Sequence, residues 1–220
     1  MSDTAPCPAS YSHFVSAGRE IAVKRKIVWD IPLDTSGQAL DGVGWDLTAF
    51  TSSTPPPRHL ARDFGWDKKA TFIINHHRTQ NGLSPLPVQV LAIEWIDLIK
   101  AYIVEALFVR QIKSGSLAQF CRALRMMATV APKKKPFELT LDDVRSAIEL
   151  ADHIQPSGTL STCIRTLVKT IFDLHHLCPA GPFSPLLIRP EASRSRRAQF
   201  TKQTKALATS LNHSVNGQLI

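Results

Sequence analysis

TLDDVRSAIELADHIQPSGTLSTCIRTLVKTIFDLHHL is the sequence of residues 140–177, and it contains two amphipathic helical patterns in succession. Thr140 is a typical N-cap, and Asp143 stands where a capping box has its acidic residue. Pro156 ends the first pattern, and a hydroxyl residue shortly after it can cap the second. The apolar residues, spaced by three and four, are Leu141, Val144, Ile148 and Ala151, then Leu160, Ile164, Leu167, Val168, Ile171 and Leu174. We therefore expect two helices that pack through these faces.

Two more helices are expected before this stretch. Residues 87–113 are strongly apolar, and Gly115 follows them as a C-cap glycine would. The polar stripe that interrupts them is narrow, as on a helix buried on most sides: Glu94, Asp97, Ala101 and Glu105. A second helix should occupy residues 116–131 and end at Pro132. The predicted core of the four helices includes Leu124, Val144, Ile148, Leu160, Leu167 and Ile171.

The rest of the chain has weaker patterns. Residues 1–18 are polar and contain Pro and Ser, so we expect a disordered tail. Residues 19–33 alternate partly and are rich in Ile and Val, which predicts one or two short strands. Residues 70–75 fit another strand, and residues 198–211 fit one amphipathic helix. The expected fold is mainly α, a four-helix bundle preceded by a smaller irregular segment with short strands. The expected division is residues 1–84, the bundle 85–190 and a basic tail 191–220.

Positive charge is concentrated in the second half of the chain. The net charge is +8. Residues 1–109 contain 10 Lys/Arg and 11 Asp/Glu, whereas residues 110–220 contain 16 and 7. Such asymmetry favours contact with nucleic acid or with an anionic membrane surface.

The cysteines and the N-terminus indicate the compartment. None of the four cysteines has Cys-x-x-Cys or zinc-finger spacing, so we expect no disulfide framework and no zinc site. Residues 1–10 lack the basic and apolar regions of a signal peptide. The charges within residues 86–112 also argue against a membrane span. A cytoplasmic protein is therefore expected.

Residues 116–190 resemble the core-binding domain of tyrosine recombinases, the phage-integrase-like enzymes. Residues 139–144, LTLDDV, match the family's Leu-Thr-x-x-Asp-Val helix start. Residues 157–160, SGTL, continuing to Leu167, match its Ser-x-x-Thr helix, and Ser184-Pro185-Leu186 stands where the family often has Asn-Pro. The resemblance implies a four-helix bundle that grips DNA beside a catalytic domain, in site-specific DNA integration or recombination.

The catalytic part of that family has no counterpart in this sequence. Its chemistry uses two arginines, His or Lys groups and a nucleophilic tyrosine close to them. The chain has two tyrosines, Tyr11 in the predicted tail and Tyr102 inside the long apolar helix. The resemblance therefore implies a front half without a complete active site, which partners a catalytic recombinase domain or like subunits.

Double-stranded DNA is the expected partner, and phosphate contacts should dominate its binding. Arg122 with Arg125, and Arg165 with Lys169, leave the apolar faces of their helices, so they predict one continuous cationic face. The full set of expected DNA contacts is Arg122, Arg125, Lys133, Lys134, Lys135, Arg165, Lys169, Arg194, Arg196 and Arg197.

Other kinds of site have little support. Adjacent His76 and His77 point apart on a strand and lack nearby carboxylates, so no metal or cofactor site is expected. His175 and His176 are expected to interact with the dipole at a helix C-terminus. Two alternatives stay open. One is a helical protein-interaction or regulatory subunit whose partner covers the long apolar helix. The other is an enzyme built on residues 1–84.

Overall fold

The computed structural model describes residues 6–30, 45–46, 60–61, 74–76, 78–85, 91–155 and 157–187. This part of the chain is mainly helical, as predicted. Its elements are α1 (Ala9–Lys24), β1 (Trp45–Asp46), β2 (Leu60–Ala61), α2 (Ile93–Phe108), α3 (Ser114–Val130), α4 (Leu141–Ile154) and α5 (Thr159–Leu167). A π-helical stretch, Val168–Asp173, continues α5. Short 3-10 turns occupy Pro136–Glu138 and Ser184–Leu186.

The four helices from α2 to α5 pack around one apolar core. Helix α3 contacts α2, α4 and α5, and α4 contacts α5. The six core residues expected from the sequence are all buried, from Leu124 and Leu167 at 0% exposed to Ile148 at 4%. That part of the prediction is confirmed, because the three-and-four spacing places these residues on inward faces.

Helix α4 begins at the predicted capping box. The Thr140 N–H donates to Asp143 Oδ2 over 2.7 Å, and the Asp143 N–H donates to Thr140 Oγ1 over 3.4 Å. These reciprocal bonds satisfy amide groups that a helix start otherwise leaves without partners. The sequence alone therefore predicts this boundary correctly.

The prediction of a disordered tail over residues 1–18 is wrong for residues 9–18, which belong to α1. Pro8 is the N-cap. The buried side of the helix recurs at intervals of three and four: Tyr11, Phe14, Val15, Gly18 and Ala22. Small residues make this face weakly apolar in the sequence, and its stability comes from packing on a neighbouring helix.

Helix α1 runs parallel to α2 along its polar stripe. Tyr11 donates a hydrogen bond to the Glu94 carbonyl over 2.6 Å. Farther along, Gly18 lies against Ala101, and at the end the Arg25 guanidinium stacks on Phe108 with its Cζ 4.8 Å from the ring centroid.

Asp97 links α1, α2 and the segment that follows α1. Its carboxylate accepts hydrogen bonds from Arg19 over 3.1 Å and from Trp29 Nε1 over 3.0 Å. The Lys100 ammonium donates to the Trp29 carbonyl over 2.7 Å. The polar stripe recognised in the sequence is therefore a helix–helix interface at Asp97 and Ala101.

Among the described residues, those predicted as strands in the N-terminal half are not strands. Residues 19–24 are helical, and so are residues 74–76 and 78–80, where residues 70–75 were expected to form a strand. Helix periodicity through Gly18 and Ala22 outweighs the local alternation of Ile and Val. The strands in the described residues are β1 and β2, which pair antiparallel with Trp45 opposite Ala61.

Three helix boundaries differ from the prediction. Helix α2 is shorter than the expected residues 87–113. Gly115 is not its C-cap but lies in the first turn of α3, because the chain turns earlier, at Gln111 with a φ of 54°. The expected helix over residues 159–177 changes to π geometry at Val168. The helix expected over residues 198–211 lies outside the described residues.

Candidate nucleic-acid interface

Helices α3 and α5 pack on each other, and both have cations without carboxylates. Helix α3 contains Arg122 and Arg125 and no acidic residue over its whole length. Helix α5 and its π-helical continuation contain Arg165 and Lys169, and their first carboxylate is Asp173 at the end. The two adjacent helices therefore contain four positive charges, and their one negative charge lies at the end of the π-helical stretch.

Three of the predicted contacts are available for an external anion. Lys133 and Lys169 are exposed, and Arg122 is half-buried. Within the part of the chain that the structure describes, no ion pair engages these three side chains. Their charges are thus left for solvent or for a ligand.

Lys134 and Lys135 have carboxylate partners inside the fold. The Lys134 ammonium lies 2.6 Å from Asp143 Oδ2, and the Lys135 ammonium lies 2.9 Å from Glu94 Oε1. The hydrogen bond with Glu94 raises the pKa of Lys135. Trp95 Nε1 donates to the Lys134 carbonyl over 2.9 Å. These contacts fix the basic loop on α2 and α4, so two of its three lysines have a structural role.

Arg125 and Arg165 are also held by the protein. Arg125 Nε is buried, and burial raises the pKa of the Cys121 thiol while the charge of Arg125 opposes that rise. Arg165 Nη1 donates to the Leu187 carbonyl over 2.9 Å, which ties the exit segment to α5. The expected pairing of these arginines with their neighbours in one open cationic face therefore needs revision. On α3, Arg122 is more available to a ligand than Arg125. On α5 and its continuation, Lys169 is more available than Arg165.

The nearby carboxylates are used for local structure. Glu138 accepts from the Lys135 N–H over 2.8 Å, and Asp152 accepts from the Ser161 hydroxyl over 2.6 Å. Asp173 accepts from the Phe183 N–H over 2.9 Å and from the Ser184 N–H over 2.7 Å. These carboxylates thus serve turns and helix ends. Arg194, Arg196 and Arg197 lie outside the described residues.

Neither tyrosine is placed as a nucleophile. Tyr102 is 0% exposed, and burial raises its pKa above the ordinary range. Tyr11, expected in a tail, is 5% exposed on α1, and burial raises its pKa as well. Ionisation of either phenol would place an anion in the core, which is costly.

A half-buried polar cluster at the end of α2 does not follow from the sequence pattern. Arg110 Nε lies 3.7 Å from Glu105 Oε2, and Arg110 Cζ lies 5.8 Å from the centre of the Tyr102 ring. Burial raises the pKa of Glu105, and the charge of Arg110 opposes this effect. Glu105 belongs to the polar stripe recognised in the sequence, but Arg110 lies beyond the helix and has no periodic pattern.

The described residues also bear on membrane and metal sites. None of the helices described is long and apolar enough to cross a membrane. No three His, Cys, Asp or Glu side chains of the described residues lie together as metal ligands would. No family model, curated protein or solved structure matches this chain.

Proposed function

We propose that this chain is a DNA-binding module of the phage-integrase type, which acts in the cytoplasm beside a catalytic recombinase domain. Its helical bundle binds double-stranded DNA through phosphate contacts. The observation that carries the proposal is the uncompensated charge of α3 and α5, two packed helices with four cations and no carboxylate before Asp173.

The contacts divide into two groups. Lys133, Lys169 and Arg122 are assigned to phosphate contact, because no ion pair within the described residues competes for them. Lys134 and Lys135 hold the basic loop in place through Asp143 and Glu94. Arg194, Arg196 and Arg197 extend the proposed contacts along the chain after the bundle.

The alternative of an interaction subunit loses its main argument. It rested on an apolar helix in need of a partner, but α2 is covered within the chain. Leu98, Ile99, Ala101, Tyr102 and Val104 are each 0% exposed. The cationic helices remain as the feature that a function must explain.

A salt series tests the proposal. Removal of one phosphate contact should reduce the slope of log affinity against log salt by about 0.9. The pair of substitutions Lys133→Gln and Lys169→Gln should therefore flatten the slope by about 1.8, measured by fluorescence anisotropy on a duplex. The affinity should fall by a similar factor on unrelated sequences, because phosphates carry no sequence information.

The matched control is Lys24→Gln with Lys26→Gln, two exposed lysines at the end of α1. This pair removes the same charge from a different helix, so its slope should stay close to that of the wild type. Equal slopes for the two double variants would contradict the assigned interface. A wild-type chain without measurable DNA affinity at low salt would contradict the proposal itself.

A further inference from the structure

His175 lies at the contact between the end of the α5 segment and α1. Its ring packs on Phe14 with the centroids 4.7 Å apart and the planes tilted by 51°. Its Nε2 is buried and has no hydrogen-bond partner among the described residues. One residue later, the His176 carbonyl accepts a hydrogen bond from the Ser10 hydroxyl over 2.7 Å. His175 thus adds an aromatic contact between α1 and the bundle, beside the hydrogen bonds of α1 to Glu94 and Asp97.

The surroundings of His175 favour the neutral imidazole. Burial lowers its pKa, and the charges of Arg110 on the α2 side, His13 on α1 and His176 beside it lower it further. The nearest carboxylate in sequence, Asp173, is bound to the N–H groups of the Phe183 turn. Among the described residues, the charged groups that act on His175 are thus Arg110, His13 and His176, which oppose a proton on its ring. Arg110 is itself paired with Glu105 over 3.7 Å.

We propose that His175 is a pH-sensitive latch, which holds α1 on the bundle while its ring is neutral and weakens that attachment when the ring is protonated. Release of α1 would uncover the side of α2 that contains Asp97 and Ala101. The proposal is independent of DNA binding.

The direction and size of the pH effect on the docking of α1 follow from proton linkage. A released α1 leaves His175 near the ordinary histidine pKa of about 6.5, whereas docking lowers that pKa. The docked state is therefore fully favoured above about pH 6.5 and loses stability as the pH falls from there toward the lowered value. Between pH 7.5 and pH 5.5 the docking equilibrium therefore falls, by at most about tenfold, the ratio that protonation of the released state at an ordinary pKa allows.

Hydrogen exchange of α1 measures this equilibrium in the full chain. Amide protection over residues 9–24, corrected for the intrinsic pH dependence of exchange, should fall by up to about tenfold at pH 5.5 while α3 and α4 keep theirs. In His175→Gln the loss should disappear. The matched control is His153→Gln, because His153 is exposed on α4 and bonds its own helix at the Glu149 carbonyl.

Two results would overturn the latch. One is unchanged α1 protection in the wild type across this pH range, and the other is an equal loss in wild type and His175→Gln. A histidine titration of the wild type by NMR keeps the proposal testable if the variant fails to fold. A His175 pKa at or above that of His153 would overturn it, and a pKa clearly below would support it.

Discussion

Substitution of Gly18 by alanine should destabilise the protein, although alanine is the better helix former. In the interior of an exposed helix, Gly→Ala stabilises by about 1 kcal/mol. Here a Cβ on Gly18 would lie 2.9 Å from both the Cα and the Cβ of Ala101, and 3.5 Å from Trp29 Cη2. The Cα of Ala101 belongs to the backbone of a buried helix, so no rotamer change can remove the overlap.

The size of the effect follows from these two opposing terms. Overpacking of this kind costs roughly 1–3 kcal/mol. With a cost of about 2 kcal/mol against a gain of about 1 kcal/mol, the net loss is about 1 kcal/mol. Displacement of α1 would also lengthen the hydrogen bonds to Glu94 and Asp97, which acts in the same direction. A loss of this size lowers Tm by about 2–4 °C in a chain of this length.

Urea unfolding of Gly18→Ala measures the free energy directly. The matched control is the pair Ser16→Ala and Ser16→Gly, because Ser16 is exposed on the same helix. The free energy of unfolding of the alanine variant should exceed that of the glycine variant by about 1 kcal/mol, because only helix propensity differs between them. If Gly18→Ala is more stable than the wild type by that same amount, the close contact between α1 and α2 is refuted.

Two further predictions concern the bundle. Leu167→Ala should cost about 2–5 kcal/mol in urea unfolding because Leu167 is 0% exposed, whereas Leu174→Ala, at a side chain 64% exposed, should change stability by less than about 0.5 kcal/mol. Equal costs at the two positions would contradict the placement of α5. For Asp143, burial raises the pKa, but hydrogen bonds from Lys134 and Thr140 outweigh this and lower it. The stabilisation is then present above the ordinary pKa of about 3.9 and is lost as the pH falls through the lowered value, so Asp143→Asn should cost about 1 kcal/mol at pH 7 and much less at pH 2. A constant difference in unfolding free energy across that pH range would contradict the role given to the carboxylate.

The described part of the candidate interface was only partly predictable. Arg122, Lys133 and Lys169 could be chosen because they lie off the apolar faces of their segments, and the structure leaves them without ion pairs in the residues it describes. Lys134 and Lys135 also lie off the apolar faces in the sequence, yet both have carboxylate partners. Whether a surface lysine is neutralised depends on residues that only the fold brings near it.

The sequence by itself determined α4 and most of the core that it shares with α5, because the information is local. It did not determine the ends of α5, since the N-cap is Gly158 instead of a hydroxyl residue and Leu174, expected on the inner face, is 64% exposed. A capping box at Thr140 and apolar residues three and four apart define both the start of a helix and its inner face. Only the tertiary structure decided the place of α1 and of the basic loop. The stability of α1 depends on Ala101, and the position of Lys135 depends on Glu94, both far along the chain. Such contacts form when helices pack, and a one-dimensional pattern of polar and apolar residues does not encode which helices meet.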